Sequence, residues 1–489
     1  MKIETLPLRS LVVAVLLSTP RVAVASDAIE GKWLGQAGSA RERVEVGLEF
    51  RRNAAGALEV LLTQPISNYF GVSEPGTVVR REGDGVFVDA MALSLRLVGD
   101  RLEGTYPGPN SPASFARVRE LPRESVIPEL PTGGAPRWQT RLGGQVWATP
   151  AVAEGVVYVG TTGGVFNAVR VADGEFVWTF AAGRPIFGEA LVTADAVYFT
   201  CDNGYLFRLD RSTGKEVWRY DLGDGRAPRV LAHPFVFEWD WQGAKPVLSD
   251  GILFVGAGDG GFHAVEATSG RRRWRFDTPG PIRNAAALSD GPAGARVAFA
   301  GDDHFVHLLD RSTGQEIWRH DTGAEVDATP VVHDGKLLVG NRGAGLAALD
   351  LATGERLWRT YFWGSWVEST PRVVDGVIYI GSSDLRRVSA IDPADGRVLW
   401  RSDVYGWTWG TPAVTADRLY VGVAGGQPYF VKHVASFAVL DRKTGRLLRR
   451  WPLPEVAGAH QWGIAGSPVV AGDLVVVATI DGGLLAFPL

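Results

Sequence analysis

The sequence predicts an all-β chain built mainly from one repeating four-stranded unit, and three observations carry that reading. Tryptophan recurs at positions 138, 178, 218, 274, 318, 358, 400 and 451, at intervals of 40 to 56 residues. Apolar runs ending in glycine recur in step with it: VYVG at 157–160, LFVG at 253–256, LLVG at 337–340, IYIG at 378–381 and LYVG at 419–422. Glycine makes up 61 of 489 residues, well above the roughly 7% of an average protein, which suits a chain of many tight turns. With 46% apolar residues the chain can bury a core, so it is not an intrinsically disordered protein. Its single Cys rules out an intramolecular disulfide scaffold.

Each unit carries its parts in a fixed order. A small residue and Pro open it, as in Thr149-Pro150, Thr329-Pro330, Thr370-Pro371, Thr411-Pro412 and Ser467-Pro468. The glycine-ended strand follows, then a strand ending in Asp at 210, 310, 350, 392 or 441. A turn, usually Thr-Gly, leads to the outer strand and its Trp. The Asp and Thr side chains can bond their own turn backbone, and the Gly supplies positive φ. Burying one indole of roughly 150–250 Å² is worth on the order of 4–6 kcal/mol as an upper bound. A single such sheet cannot cover both its faces, whereas a closed ring can, and a period near 40–45 residues is that of a propeller blade.

Counting sets the ring size. Seven complete units end at Trp178, Trp218, Trp274, Trp318, Trp358, Trp400 and Trp451, and an eighth starts at Ser467-Pro468 but stops after its third strand. Its missing outer strand is found upstream, where Thr132 to Trp138 copies the turn-and-Trp segment, so residues 135–142 should complete the last blade. The prediction is an eight-bladed β-propeller over 135–489, preceded by a small antiparallel β-barrel-like domain over 27–120 and a Pro-rich linker at 121–134. Alternation in Val44 to Phe50 and Leu93 to Leu97 marks half-buried strands in the small domain, with Trp33 in its core.

The first 25 residues have the three-part pattern of a secretory signal: Lys2 and Arg9, the apolar run Leu11 to Leu17, and Ala23-Val24-Ala25 as a cleavage site. The expected location is periplasmic or secreted. Removing that segment leaves a net charge of −6, a poor match for nucleic acid. No apolar run reaches the ~20 residues that span a bilayer, and no Cys follows the signal to carry a lipid anchor. Cys201, in an apolar strand without cationic neighbours, reads as a buried inert thiol.

The unit L-D-x-x-T-G-x-x-x-W, whole at Leu209 to Trp218, Leu309 to Trp318 and Leu349 to Trp358, resembles the PQQ-like (quinoprotein) β-propeller repeat. The resemblance covers roughly residues 131–489. It implies one of two kinds of function: a PQQ- and Ca²⁺-dependent alcohol dehydrogenase, or a non-enzymatic scaffold of outer-membrane assembly of the BamB kind. In the dehydrogenases PQQ lies between a Trp and a disulfide of adjacent cysteines, and a lone Cys201 cannot supply that disulfide. Under the enzyme reading, Arg283 and Trp409 would meet the cofactor, and Asn284, Asp327 and Glu368 would offer oxygen ligands to Ca²⁺.

The eight repeat Trps read as structural. The remaining ones, Trp147, Trp239, Trp241, Trp363, Trp366, Trp407, Trp409 and Trp462, all precede an inner strand, and such connections emerge on one face. They predict an aromatic binding mouth at one end of the central channel, where Asp327 and Glu368 occupy the same slot as Trp147 and Trp409, three residues before the Pro. Two readings stay open for these indoles: filling of the channel, or a contact surface. Taken together, the sequence points to an exported, non-catalytic interaction propeller of the cell envelope with a protein partner and no cofactor. The alternatives are the PQQ/Ca²⁺ dehydrogenase and a carbohydrate- or polymer-binding module.

Overall fold

We describe the protein from a computed structural model that covers residues 28–38, 43–73, 77–107, 110–124, 126–223, 241–291, 294–427 and 431–489. The export signal expected at 1–25 and Trp239 lie outside these residues. Within them, regular structure is all strand apart from two 3₁₀ turns, Pro65–Ser67 and Asp89–Met91. The chain divides into two compact units, Met1–Thr63 with Ser73–Leu121, and Gln64–Val72 with Pro122–Leu489.

The N-terminal strands make one antiparallel sheet of nine, an open half-barrel that starts at Tyr69–Val72 and ends at Arg80–Glu82. Its central strand, Gly31–Gly38, pairs with Arg43–Arg52 on one side and Pro112–Val118 on the other. Val44, Val46, Leu48 and Phe50 turn inward at every second position, as a half-buried strand requires. Trp33 is fully buried, and its indole N–H donates to the Ile29 carbonyl at 2.7 Å.

Eight antiparallel sheets follow, and in the first seven the four blade strands run in sequence order from the channel outward. The first blade runs Ala151–Ala153, Val156–Gly160, Val165–Arg170 and Phe176–Ala181. The eighth is made from both ends of the propeller sequence. Trp138–Arg141 pairs with Gly483–Pro488, which pairs with Leu474–Ala478 and then Val469–Ala471. The register sets Trp138 against Ala486 and Arg141 against Gly483, and Leu142 N–H donates to the Gly482 carbonyl at 2.8 Å just beyond it. The exposed ion pairs Arg137–Asp473 and Arg141–Asp481 add little to this closure; its strength lies in ladder bonds and apolar burial.

A repeated contact holds neighbouring blades together. Seven of the repeat indoles, Trp138 to Trp400, lie on the Gly of the next blade's turn after its third strand, and most of them donate the indole N–H to a carbonyl just beyond that strand. Trp138 donates to Val171, Trp178 to Arg211, Trp274 to Arg311 and Trp318 to Leu351, at 2.7–3.2 Å. A Cβ built on Gly174, Gly214, Gly314 or Gly354 would stand 2.5–2.8 Å from ring atoms of the preceding Trp. Positive φ is therefore only half the reason for glycine there; the indole also needs the space. The Asp of the turn caps it as expected, with Asp210 Oδ1 accepting from Ser212 Oγ, Thr213 N and Thr213 Oγ1 at 2.7–2.8 Å. Those bonds hold the Asp210 carboxyl down at about 2.

One repeat tryptophan is misplaced by its spacing. In the seventh blade Arg449 pairs with Val439, the position that repeat Trps occupy elsewhere, while Trp451 pairs with Phe437 two residues further along. The Arg449 side chain covers Gly133, and Trp451 packs edge-on against Phe487 at 5.4 Å. An arginine stem can cover apolar surface as an indole does, so the lock survives the exchange. Cys201 is buried, and desolvation pushes its thiol up to about 11, so it is inert at neutral pH.

Two glycines of similar backbone separate packing from φ strain. Gly354 has φ +76° with Trp318 against it, and Gly335 has φ +70° with nothing within 4 Å. Gly354→Ala should cost about 1–3 kcal/mol more than Gly335→Ala in equilibrium urea unfolding. Equal costs would show that the indole does not need its glycine.

Candidate functional site

The inner strands surround a channel of about 970 Å³. Where each connection from an outer strand enters an inner strand, one residue per blade faces the axis: Trp147, Phe187, Gly243, Arg283, Asp327, Glu368, Trp409 and Ala465. Three of these eight residues are aromatic and three, on the opposite side, are charged. Trp366 stacks under the Arg342 guanidinium at 4.7 Å, and Trp409 Nε1 reaches Ser383 Oγ at 3.4 Å. Arg342 and Ser383 belong to loops between second and third strands, so both kinds of loop meet on one face.

The indoles fill this end of the channel. Trp147, Trp241 and Trp409 lie 5.5–6.4 Å apart between ring centroids, and Trp409 continues into Trp407 at 4.9 Å and His433 at 4.0 Å from Trp407. A planar group inserted between two rings needs roughly 7 Å, twice a van der Waals contact, so these faces hold no slot for one. Trp407, Trp409 and Trp241 are buried, and Trp147 and Trp366 half-buried. Trp366 and Trp407 stand behind the channel lining, and Trp363 and Trp462, also buried, are outside it as well: Trp363 packs on Tyr361, and Trp462 lies in a short strand paired with the extended strand Arg418–Gly426. Burial and Arg386 drive the His433 imidazole well below its usual pKa, so it stacks on Trp407 as a neutral ring.

The charged side is organised by Arg342, which sequence reasoning did not single out. Its guanidinium meets Asp327 Oδ2 at 2.6 Å and Glu368 Oε1 at 3.0 Å, and all three side chains are buried. Burial raises the Glu368 carboxyl to about 7, with Asp327 adding to the shift and Arg342 opposing it. Asn284 donates Nδ2 to the Val326 carbonyl at 2.8 Å. Two residues further along each inner strand lies a second belt: Thr149, Glu189, Lys245, Ala285, Thr329, Thr370, Thr411 and Ser467. Its hydroxyls stitch blade to blade. Thr329 Oγ1 accepts from Ala285 N, Thr370 Oγ1 from Thr329 N, Ser467 Oγ from Thr411 N, and Thr149 Oγ1 from Ser467 N, at 2.9–3.2 Å. Lys245 and Glu189 pair at 2.5 Å in two of the three blades that carry no hydroxyl there.

With this geometry in place, comparison with known proteins is informative. The sequence family described as outer membrane protein assembly factor BamB matches residues 130–230, 202–305 and 302–487. The chain belongs to that BamB family. It is 28% identical over 364 residues to the outer membrane protein assembly factor BamB of Burkholderia pseudomallei, covering 65% of this chain and 88% of the relative. A quinohemoprotein alcohol dehydrogenase of Comamonas testosteroni is 25% identical over 380 residues, but only 48% of its length is covered. In fold, BamB of Moraxella catarrhalis aligns with a TM-score of 0.55 at 18% identity, covering 72% of this chain and 97% of that one.

The quinoprotein relatives raise the question of whether PQQ and Ca²⁺ fit this BamB-family channel. Asp327 and Glu368 are the carboxylates expected to hold Ca²⁺, but the position between them is taken by the Arg342 cation. Among the described residues no cluster of three or more His, Cys, Asp or Glu has metal-site geometry. Trp409, expected to face the cofactor, has Trp407 stacked on it and Trp147 and Trp241 beside it. The residues present do not fit the pair.

Glu368 gives this site a pH signature. A carboxyl whose folded pKa of about 7 lies above its ordinary 4.5 favours folding at low pH and loses that contribution as pH rises through about 7. The melting temperature of the wild type should therefore fall relative to Glu368→Gln between about pH 5 and about pH 8. A gap that stays constant across that range would show that Glu368 titrates normally.

Proposed function

We propose that this chain is an exported, non-catalytic binding propeller of the bacterial envelope that works with a protein partner in outer-membrane assembly. The observation that carries the reading is the Arg342 guanidinium between Asp327 and Glu368, which commits the two carboxylates of the ring to internal pairing. The packed indoles support it, because they spend their faces on one another. Coverage supports it as well, since the chain matches nearly the whole of a BamB and about half of a dehydrogenase. In this reading residues 1–25 direct export, residues 27–120 and 135–489 are separate domains joined by 121–134, and the contact surface is the indole-bearing face, where Trp147 and Trp366 remain half-exposed.

The reading predicts that purified protein incubated with PQQ and Ca²⁺ stays colourless after desalting and shows no dye-linked alcohol oxidation. Cells lacking the chain should contain less folded outer-membrane β-barrel protein, read as heat-modifiable mobility on gels. A retained quinone chromophore with alcohol turnover would replace the proposal with the dehydrogenase. Unchanged β-barrel folding would remove the assembly role.

A further inference from the structure

The channel has a second mouth, on the face away from the indoles, and an apolar collar surrounds it. The first two positions of the eight inner strands hold sixteen residues, and fifteen of them are Ala, Val or Leu. The sixteenth is Arg372. Most of these side chains line the channel, and the collar is open to solvent: Leu191, Val247, Val331, Val414 and Val469 are half-buried, and Val470 is 37% exposed. Exposed apolar surface gathered at a concave mouth marks a contact site.

Arg372 gives that site a charge to recognise. It is exposed, lines the channel and makes no hydrogen bond or ion pair among the described residues. The carboxylates on the hairpin turns of its own blade and of the two beside it are matched elsewhere. Asp375 meets Arg442 at 2.7 Å, Asp334 meets Lys336 at 3.7 Å and Asp417 meets Arg418 at 3.4 Å. Nearer the indoles, Glu189 is held by Lys245 at 2.5 Å. His333, on the neighbouring inner strand, adds no negative charge. The surface complementary to this mouth therefore carries a carboxylate, which a guanidinium holds in bidentate fashion, beside apolar side chains.

Depth decides which class of molecule brings that pair. Two strand residues at a rise of ~3.3 Å make the collar about 7 Å deep, and the hydroxyl belt begins below it. One Leu-sized side chain fits that depth. A long alkyl chain would run on past the collar into a layer of hydroxyls and a Lys–Glu pair. We infer that this mouth docks a loop of a protein partner in which an acidic residue adjoins an apolar one. The carboxylate rests on Arg372 and the apolar side chain enters the collar. This inference rests on the proposed role as a partner-binding propeller and adds a second contact, on the face opposite the indoles.

The test is isothermal titration calorimetry on the purified full chain with the blocked peptide acetyl-Gly-Leu-Glu-Leu-Gly-amide. Counterparts with Gln or Lys in place of the Glu, and sodium dodecanoate, serve as comparators. The Glu peptide should saturate with a Kd on the order of 1 mM or tighter, and the Gln peptide should bind at least roughly tenfold more weakly. Arg372 is exposed and unpaired, so the Arg372→Glu variant keeps its fold; it should lose the Glu peptide and bind the Lys peptide instead. The inference is overturned if the Glu peptide does not saturate, if the Gln peptide binds equally well, if Arg372→Glu retains the Glu peptide, or if dodecanoate alone saturates. Its failure is distinct from failure of the assembly role, which is read as β-barrel folding in cells.

Discussion

The structure of the propeller depends on one contact repeated around a circle, an indole lying on a glycine of the next blade. The contact joins three requirements in one place. The glycine must take positive φ for the Asp-capped turn, it must lack a Cβ so that the ring can approach, and the neighbouring carbonyl must be free for the indole N–H. Each blade packs its outer strand against the next through this contact, or through the Arg449 stem that replaces it in the seventh, so no blade is complete alone. The last must borrow Trp138–Arg141 to give the first its partner at Gly174.

Closure of the ring creates the channel and fixes what it can hold. Eight equivalent slots converge on the axis, and their side chains are chosen by blade rather than by local propensity. Aromatic residues from blades one, two and seven meet indoles carried by the connecting loops, while blades four to six supply Arg283, Asp327 and Glu368. A buried pair of carboxylates is unfavourable without a cation, and Arg342 supplies one from a loop on the same face. Below that layer the hydroxyl belt ties the inner strands to one another, so the wall of the channel also forms part of the ring's hydrogen bonding.

Much of this is legible in the sequence because the repeat is strict. The register of Asp, Thr-Gly and Trp gives the blade count, and Thr132 to Trp138 reveals the borrowed strand. The slot three residues before Pro identifies Trp147, Asp327, Glu368 and Trp409 as facing the axis. Spacing misleads at Trp451, because in that blade an arginine stem takes the indole's position and the nearest Trp has another partner. Arg342 is not legible, since nothing in Asn341-Arg342-Gly343 shows which carboxylates another blade will place beside it. The burial of Trp407 and Trp409 is hidden for the same reason, because it depends on His433 from one loop and Ser383 and Asp384 from another.

The central claim is a ring closed by a strand from upstream of its first blade, and amide hydrogen exchange of the native protein tests it most directly. Closure predicts that amides of Trp138–Arg141 exchange as slowly as those of Gly483–Pro488 with which they pair, and open only with the whole propeller. Fast exchange at residues 138–141, with the other three strands of that blade still protected, would contradict it.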